Sequence, residues 1–370
     1  MYYGTVLKTT GIWSYSYFID HTRGIMKKVC VIGHFGFGEN MLNGQTVKTK
    51  TVTNELERQL GADQVIKIDT HGGVKALPLI VLKMITGFRQ CESIMIFPAH
   101  NGIKVFIPLC NAINTVFHRK LHYVVIGGWL PSFLKDKKRL REGVNRFTGV
   151  YVETGTMQVE LEKLGISNTY ILKNFKDIRV LSESELISQH GKPYKICTFS
   201  RVMKEKGIED IVNVVIDINT KHNEEIYKLD IYGQVDNEQT EWFEKLRKRF
   251  PSYISYKGVV QFDKSVEVLK NYFMLVFPTK FYTEGIPGTI IDAYAAGVPV
   301  LSAKWESFSD VVDDRVTGIG YKFDDLTDLK DILYKISKDS NEIVLLKKNC
   351  LKKAREYAPS EAIKVLYERL

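Results

Sequence analysis

The sequence predicts an α/β protein of two Rossmann-like domains in tandem, facing each other across a cleft. Three observations lead there. Short β-branched runs alternate with stretches of helical periodicity, a pattern that means parallel sheets covered on both faces. The alternation stops between 174 and 193 and then starts again. Finally, 370 residues are too many for one ordinary core and suit two.

In the first series KKVCVIG (27–33) is the opening strand, followed by the glycine-rich stretch HFGFGENMLNGQ. A helix starts near Thr46 and ends at Gly61 as a C-cap. VIKID is the second strand, a helix spans 76–85, and SIMIFPAH is a third strand ending at His100. A buried helix covers 103–117, HYVVIGGW is the fourth strand, and GVYVET (149–154) and TYILK (169–173) complete the series. The second series opens with YKICTFS and a helix over 207–219; KLDIYG, a helix over 238–250 and SYKGVV follow. LVFPTK, GTIIDAYAAG and PVLSA then read as strand, helix and strand. The expected division is an appendage over 1–25 ahead of a second methionine, a first domain over 26–180 and a linker over 181–194. A second domain over 195–355 and a C-terminal helix over 356–370 that packs back on the first domain complete it.

Composition narrows the function. The formal net charge is +9, with denser basic runs at 135–141 (KDKKRLR) and 347–355 (KKNCLKKAR). No RNP pattern, zinc-finger spacing or basic arm accompanies them, so nucleic acid is not the expected partner. An anionic membrane face or a phosphorylated ligand fits better, as do plain solvated helix faces; Phe133 and Leu134 beside the first run form the expected membrane patch. Five cysteines form no CxxC pair and several sit in apolar runs, which points to a reducing, cytoplasmic setting and to no structural metal. No apolar stretch approaches the roughly 18 residues of a membrane span.

Ligands in such folds bind at the carboxyl ends of strands. The sharpest signal there is FYTEGIPGTIIDAYAAGVPV, 281–300. Glu284 stands before a turn. Gly285 and Gly288 let backbone approach a ligand, Ile286 between them joins the donor-binding set, and Thr289 opens a helix whose amides suit phosphate. Asp292 follows one turn into that helix, where a carboxylate can take both hydroxyls of a ribose. A capped helix with a proline turn accounts for the glycines and Pro299, but not for two acids eight positions apart. SRVMKEKG (200–207) places Arg201 and Lys206 after the first strand of the second series, two fixed cations for a diphosphate without a metal. Gly233, ending KLDIYG, joins the donor-binding set.

On these residues the chain resembles the GT-B retaining glycosyltransferases of family four, which build polysaccharides, lipopolysaccharide and glycolipids. The resemblance runs from Lys27 to the C-terminus and is most specific over 196–320, including the trailing AKWESFSDVVDDRVTGIGYKF. It implies that Arg201 and Lys206 hold the donor diphosphate, that Glu284 touches the transferred sugar and that Asp292 binds the ribose. It departs at one place, since the family usually carries Glu where Asp292 stands. The first domain should then bind a saccharide or lipid-linked acceptor, with Gly36 and Gly38 of the glycine-rich loop approaching phosphate. A nicotinamide site is the competing explanation of that loop, yet no acid stands at a clean strand end about 20 residues on, Asp69 lying farther away. His100 is the candidate side chain against the sugar. The family's second His is replaced by IGGW, 126–129, where Trp129 either stacks on a sugar or caps the core. No dedicated base is expected, because the departing phosphate can take the acceptor proton. Neither cofactor nor metal is implied, and the donor is UDP- or GDP-linked. A nucleotide-sugar epimerase and a non-catalytic nucleotide-sugar-binding subunit stand as alternatives on the same architecture.

Overall fold

The computed structural model describes residues 26–38, 44–187 and 190–370. The expected appendage over 1–25 and the loop residue Asn43 lie outside them. The first sheet contains β1 (Lys27–Gly33), β2 (Val65–Asp69), β3 (Cys91–Ile96), β4 (Lys120–Val124), β5 (Gly149–Val152) and β6 (Thr169–Ile171) in the order β2-β1-β3-β4-β5-β6. The second contains β7 (Tyr194–Phe199), β8 (Tyr227–Tyr232), β9 (Ile254–Gly258), β10 (Met274–Phe277), β11 (Val300–Ala303) and β12 (Gly318–Tyr321) in the order β12-β11-β10-β7-β8-β9. Every pairing is parallel.

The apolar runs are uninterrupted because both faces of each strand are buried. In β1, Cys30 and Ile32 enter the core beneath helices Gly73–Gln90 and Ile103–Phe117, while Val29 and Val31 enter the opposite one. In β10, Met274 and Val276 face one core of the second sheet, and Leu275 and Phe277 the other. At the C-terminus, Ala362, Ile363 and Leu366 join Val29, Val31 and Val52 in a core of the first sheet, and the Arg369 guanidinium lies 4.0 Å from the Tyr170 ring. The chain thus crosses back to its first half.

Three expectations need correction. β3 stops at Ile96, since the Phe97 amide makes a last bond to the Ile32 carbonyl and Pro98 has no N–H to continue. His100 therefore sits in a turn. The expected membrane patch fails more plainly: Phe133 and Leu134 are buried in the first core, with the Lys137 ammonium 4.1 Å from the Phe133 ring. In the second basic run Lys347 is buried, and desolvation pushes its ammonium down to about 8.

One buried histidine gives the fold a pH dependence. His122 in β4 is fully enclosed, Nδ1 lying 3.0 Å from the Tyr151 hydroxyl and Nε2 without a partner among the described residues. Burial, aided by Lys120 and Arg369, pushes its pKa down to about 4. The unfolded chain takes up that proton near 6.5, so stability is complete above that pH and falls as pH drops towards 4. Denaturant titrations at pH 7 and near pH 4.5 should show a loss of up to about 3 kcal/mol from this residue. In His122→Phe the difference between the two pH values should shrink by that amount.

Candidate functional site

In the second sheet the strand order reverses between β7 and β10, so their carboxyl ends open a crevice. The chain leaving β7 makes a single turn, Lys204–Lys206, and passes Gly207 at φ 66° before helix Ile208–His222. A Cβ on Gly207 would stand 1.9 Å from the Pro278 carbonyl, so only glycine lets this turn lie against the end of β10. The contact carries Lys206 onto Glu284: Nζ meets Oε1 and lies 4.8 Å from the Phe281 ring. The Thr279 hydroxyl donates to the same oxygen at 3.0 Å.

Arg201 takes another direction. Its half-exposed guanidinium lies 3.4 Å from the Asp236 carboxylate, in a separate concavity with Gln234 and Asn237. The two cations expected on one ligand are divided. Gly233 is off the crevice as well, and it has a packing reason: at φ 135° its hydrogen faces the Ser200 carbonyl, which a Cβ would approach to 1.7 Å.

The loop between Glu284 and helix Gly288–Ala295 is held by the first domain. The Ile286 amide donates to Glu153 Oε2 at 2.9 Å, and its carbonyl accepts from the Asn174 amide at 2.9 Å. Gly285 lies so close to Glu153 that a Cβ would come within 2.1 Å of the carboxylate, and one on Gly128 would press on the Thr283 and Glu284 carbonyls. Glu153 is paired with Lys48 at 3.2 Å, their side chains 5% and 4% exposed. Beyond the loop, the helix follows Pro287 without a capping side chain, and the buried Thr289 hydroxyl has no partner among the described residues. Amides and an orphan hydroxyl at a helix N-terminus suit an anion.

Asp292 does line the crevice, but its carboxylate is engaged. Lys176 Nζ lies 2.6 and 2.7 Å from its two oxygens and 4.3 Å from the Phe262 ring. Burial raises the Asp292 carboxyl above the usual carboxylate range, and the pull of Lys176 and Ser265 offsets this only in part. The cavity so formed measures about 390 Å³ and is lined by Lys48, Gly127, Glu153, Lys176, Glu284 and Asp292, with Gly285, Ile286, Gly288 and Thr289 along one wall.

The remaining candidates lie elsewhere. Gly36 and Gly38 take positive φ, 58° and 86°, in a loop held by Asp69, which accepts the Phe35 and Phe37 amides at 2.9 Å each. Burial pushes the Asp69 carboxyl up, but amide donors from Phe37, His71, Phe35 and Gly36 outweigh it and leave the group below its ordinary value. Asp69 thus shapes the loop. His100 packs on Trp129 and Phe133, with ring centroids 4.7 and 4.4 Å away, and borders a different cavity of about 460 Å³ with His34 and Gln45. Trp129 caps the core there, its indole donating to the Ile126 carbonyl at 2.7 Å.

Lys48, Glu153, Asn174 and Lys176 were absent from the sequence-derived set. Glu153 directly follows β5, so the strand-end rule was able to find it; the others carry no local signal.

Residues 193–339 match the family described as glycosyl transferases group 1. The uncharacterized glycosyltransferase MJ1069 of Methanocaldococcus jannaschii is 25% identical over 193 residues, which are 46% of this chain and 47% of that one. The chain thus aligns with about half the length of this curated relative. Among solved structures, Anabaena Alr3699/HepE in complex with UDP and glucose superposes with a TM-score of 0.69 at 13% identity, over 92% of this chain and 98% of that one. Sucrose-phosphate synthase (tll1590) from Thermosynechococcus elongatus gives 0.71 at 12%, over 93% and 99%. The expected fold class, two domains of the GT-B type, is thereby established.

The Lys48–Glu153 pair is open to a direct test. Lys48→Ala leaves a buried carboxylate unpaired and should destabilise the protein by about 3–5 kcal/mol in urea denaturation. Adding Glu153→Gln, which removes the charge and keeps an acceptor for the Ile286 amide, should recover part of that loss.

Proposed function

We propose that the protein is a metal-independent, retaining glycosyltransferase that moves a sugar from a nucleoside diphosphate donor, UDP-linked by preference, to a saccharide acceptor. The observation that carries this reading is the meeting of Glu284 and an uncapped helix N-terminus in one cavity at the β7–β10 switch point, with Lys206 held against Glu284. The family match over 193–339 supports the reaction class, and UDP and glucose in the structurally similar HepE support the donor class.

In this reading the diphosphate sits at the Gly288 and Thr289 amides and draws Lys206 away from Glu284, which is then free to meet the sugar. Arg201 must leave Asp236 to reach the same phosphates. The ribose hydroxyls meet Asp292 beside Lys176. The bond from the anomeric carbon to the diphosphate oxygen breaks and a bond to the acceptor hydroxyl forms on the same face. The acceptor proton passes to the departing phosphate, whose charge the cations stabilise. The acceptor lies on the first domain, towards His100 and the loop at Gly36 and Gly38, and a lipid-linked saccharide in surface-polysaccharide assembly fits this arrangement.

Incubation with UDP- and GDP-sugars plus chelator should release nucleotide, and faster when acceptor is added. Loss of release on chelation would overturn metal independence, and sugar isomerised without release would indicate the epimerase. Lys206→Ala and Glu284→Gln should each lower kcat by roughly 10²–10³-fold. Unchanged turnover in Lys206→Ala would contradict the diphosphate assignment. Asp292→Asn should raise the donor KM more than it lowers kcat, since the ribose is remote from the breaking bond.

A further inference from the structure

The outer surface of the first domain has a composition that neither the core nor the cavity explains. Helices Gly73–Gln90 and Ile103–Phe117 lie side by side on one face of the first sheet and bury Ile80, Met84, Phe88, Ile103 and Ile107 beneath them. The opposite sides of surface helices are ordinarily polar. Here they are apolar: Leu79 is 56% exposed, Leu82 64% and Val116 72%, with Ile85 and Val105 also open. Neither helix contains an Asp or a Glu, and Lys83 and Lys104 are exposed on them.

A groove of about 920 Å³ continues this surface between helices Ile103–Phe117 and Lys138–Asn145. Its floor is Ile107, Pro108, Ala112 and Leu140. Its rim carries Lys104, Lys138, Arg139 and Arg146 against two acids, Asp136 and Glu142, and among the described residues none of the four cations has a carboxylate partner. The groove shares no residue with the crevice cavity.

We propose that this face docks the protein on an anionic lipid bilayer. Acyl chains accept the exposed leucine and valine side chains, acidic head groups accept the lysines and arginines, and the long cationic side chains reach the head-group level while their stems stay on apolar surface. Charge decides against the other occupants. A second copy of the chain would bring cations against cations, and a nucleic-acid backbone offers nothing to a row of leucines. The face differs from the one expected around Phe133 and Leu134, which are buried. It does not depend on the transferase reading, yet it suits it, because helix Ile103–Phe117 begins just past the His100 turn where the acceptor is placed.

The test is sedimentation of the full chain with phosphatidylcholine vesicles, either alone or with roughly one third phosphatidylglycerol. Binding is expected to the anionic vesicles only, weakening as salt rises. Lys104→Glu/Arg139→Glu should lower the partition coefficient more than tenfold, and Leu79→Ser/Leu82→Ser should lower it as well. Both variants should keep nucleotide release in the absence of vesicles, so a failed docking surface and a failed transferase are told apart. No binding, equal binding to neutral vesicles, or variants that bind like the wild type would overturn the proposal. A concentration-dependent dimer abolished by Leu79→Ser/Leu82→Ser would overturn it too, making the face a self-association surface.

Discussion

Glu153 holds Lys48 with one carboxylate oxygen and the Ile286 amide with the other, at the seam where the first domain meets the second. This carboxylate and the Asn174 side-chain amide hold the loop 285–288 from the first domain. The N-terminus of helix Gly288–Ala295 follows that loop, and with it the positions of Glu284, Thr289 and Asp292. A buried ion pair gains little net stability over well-packed apolar residues, because both charges must leave water. Its contribution here is geometric. The glycines at 128 and 285 serve the same contact by letting two backbones and a carboxylate come together where a Cβ would intrude.

Three lysine–carboxylate pairs surround the cavity: Lys48–Glu153, Lys176–Asp292 and Lys206–Glu284. Both members of the first two line the volume a ligand would fill, and the third reaches it through Glu284. Each of these lysines is matched by a carboxylate, so an anionic ligand would exchange partners with them rather than meet bare charge. Asp292 shows the consequence of burial most clearly. Its carboxylate is tolerated at 3% exposure because Lys176 touches both oxygens, and even so its proton is held more tightly than in water.

Much of this was legible along the chain. Uninterrupted apolar runs of strand length gave the two parallel sheets, because parallel strands bury both faces and leave no polar alternation. Strand ends marked FYTEGIPG and SRVMKEKG as ligand-facing, and the strand order then set them on the two sides of the switch point. Glu153 was within reach by the same rule. Lys48 and Lys176 were not. Each is one lysine among many in a basic chain, and nothing local separates a lysine that crosses a domain seam from one that is solvated. The glycine at 233 illustrates one thing local reading misses, its close packing against the Ser200 carbonyl. Phe133 and Leu134 illustrate another: adjacency to a basic run says nothing about which way a short helix turns its apolar side.

By itself the sequence determined the fold class, the order of strands and helices, and the segments that meet at the crevice, since all of these rest on local periodicity and on spacing from strand ends. Only the tertiary structure decided which charges pair: that Lys206 turns to Glu284 while Arg201 turns to Asp236, and that Lys176 occupies Asp292. It also decided which apolar residues remain outside, Leu79 and Leu82 rather than Phe133 and Leu134. The physical reason is common to both. Pairing and exposure depend on distances between elements far apart in the chain, and a charge or a leucine is indifferent to its sequence neighbours once a closer partner is brought in through space.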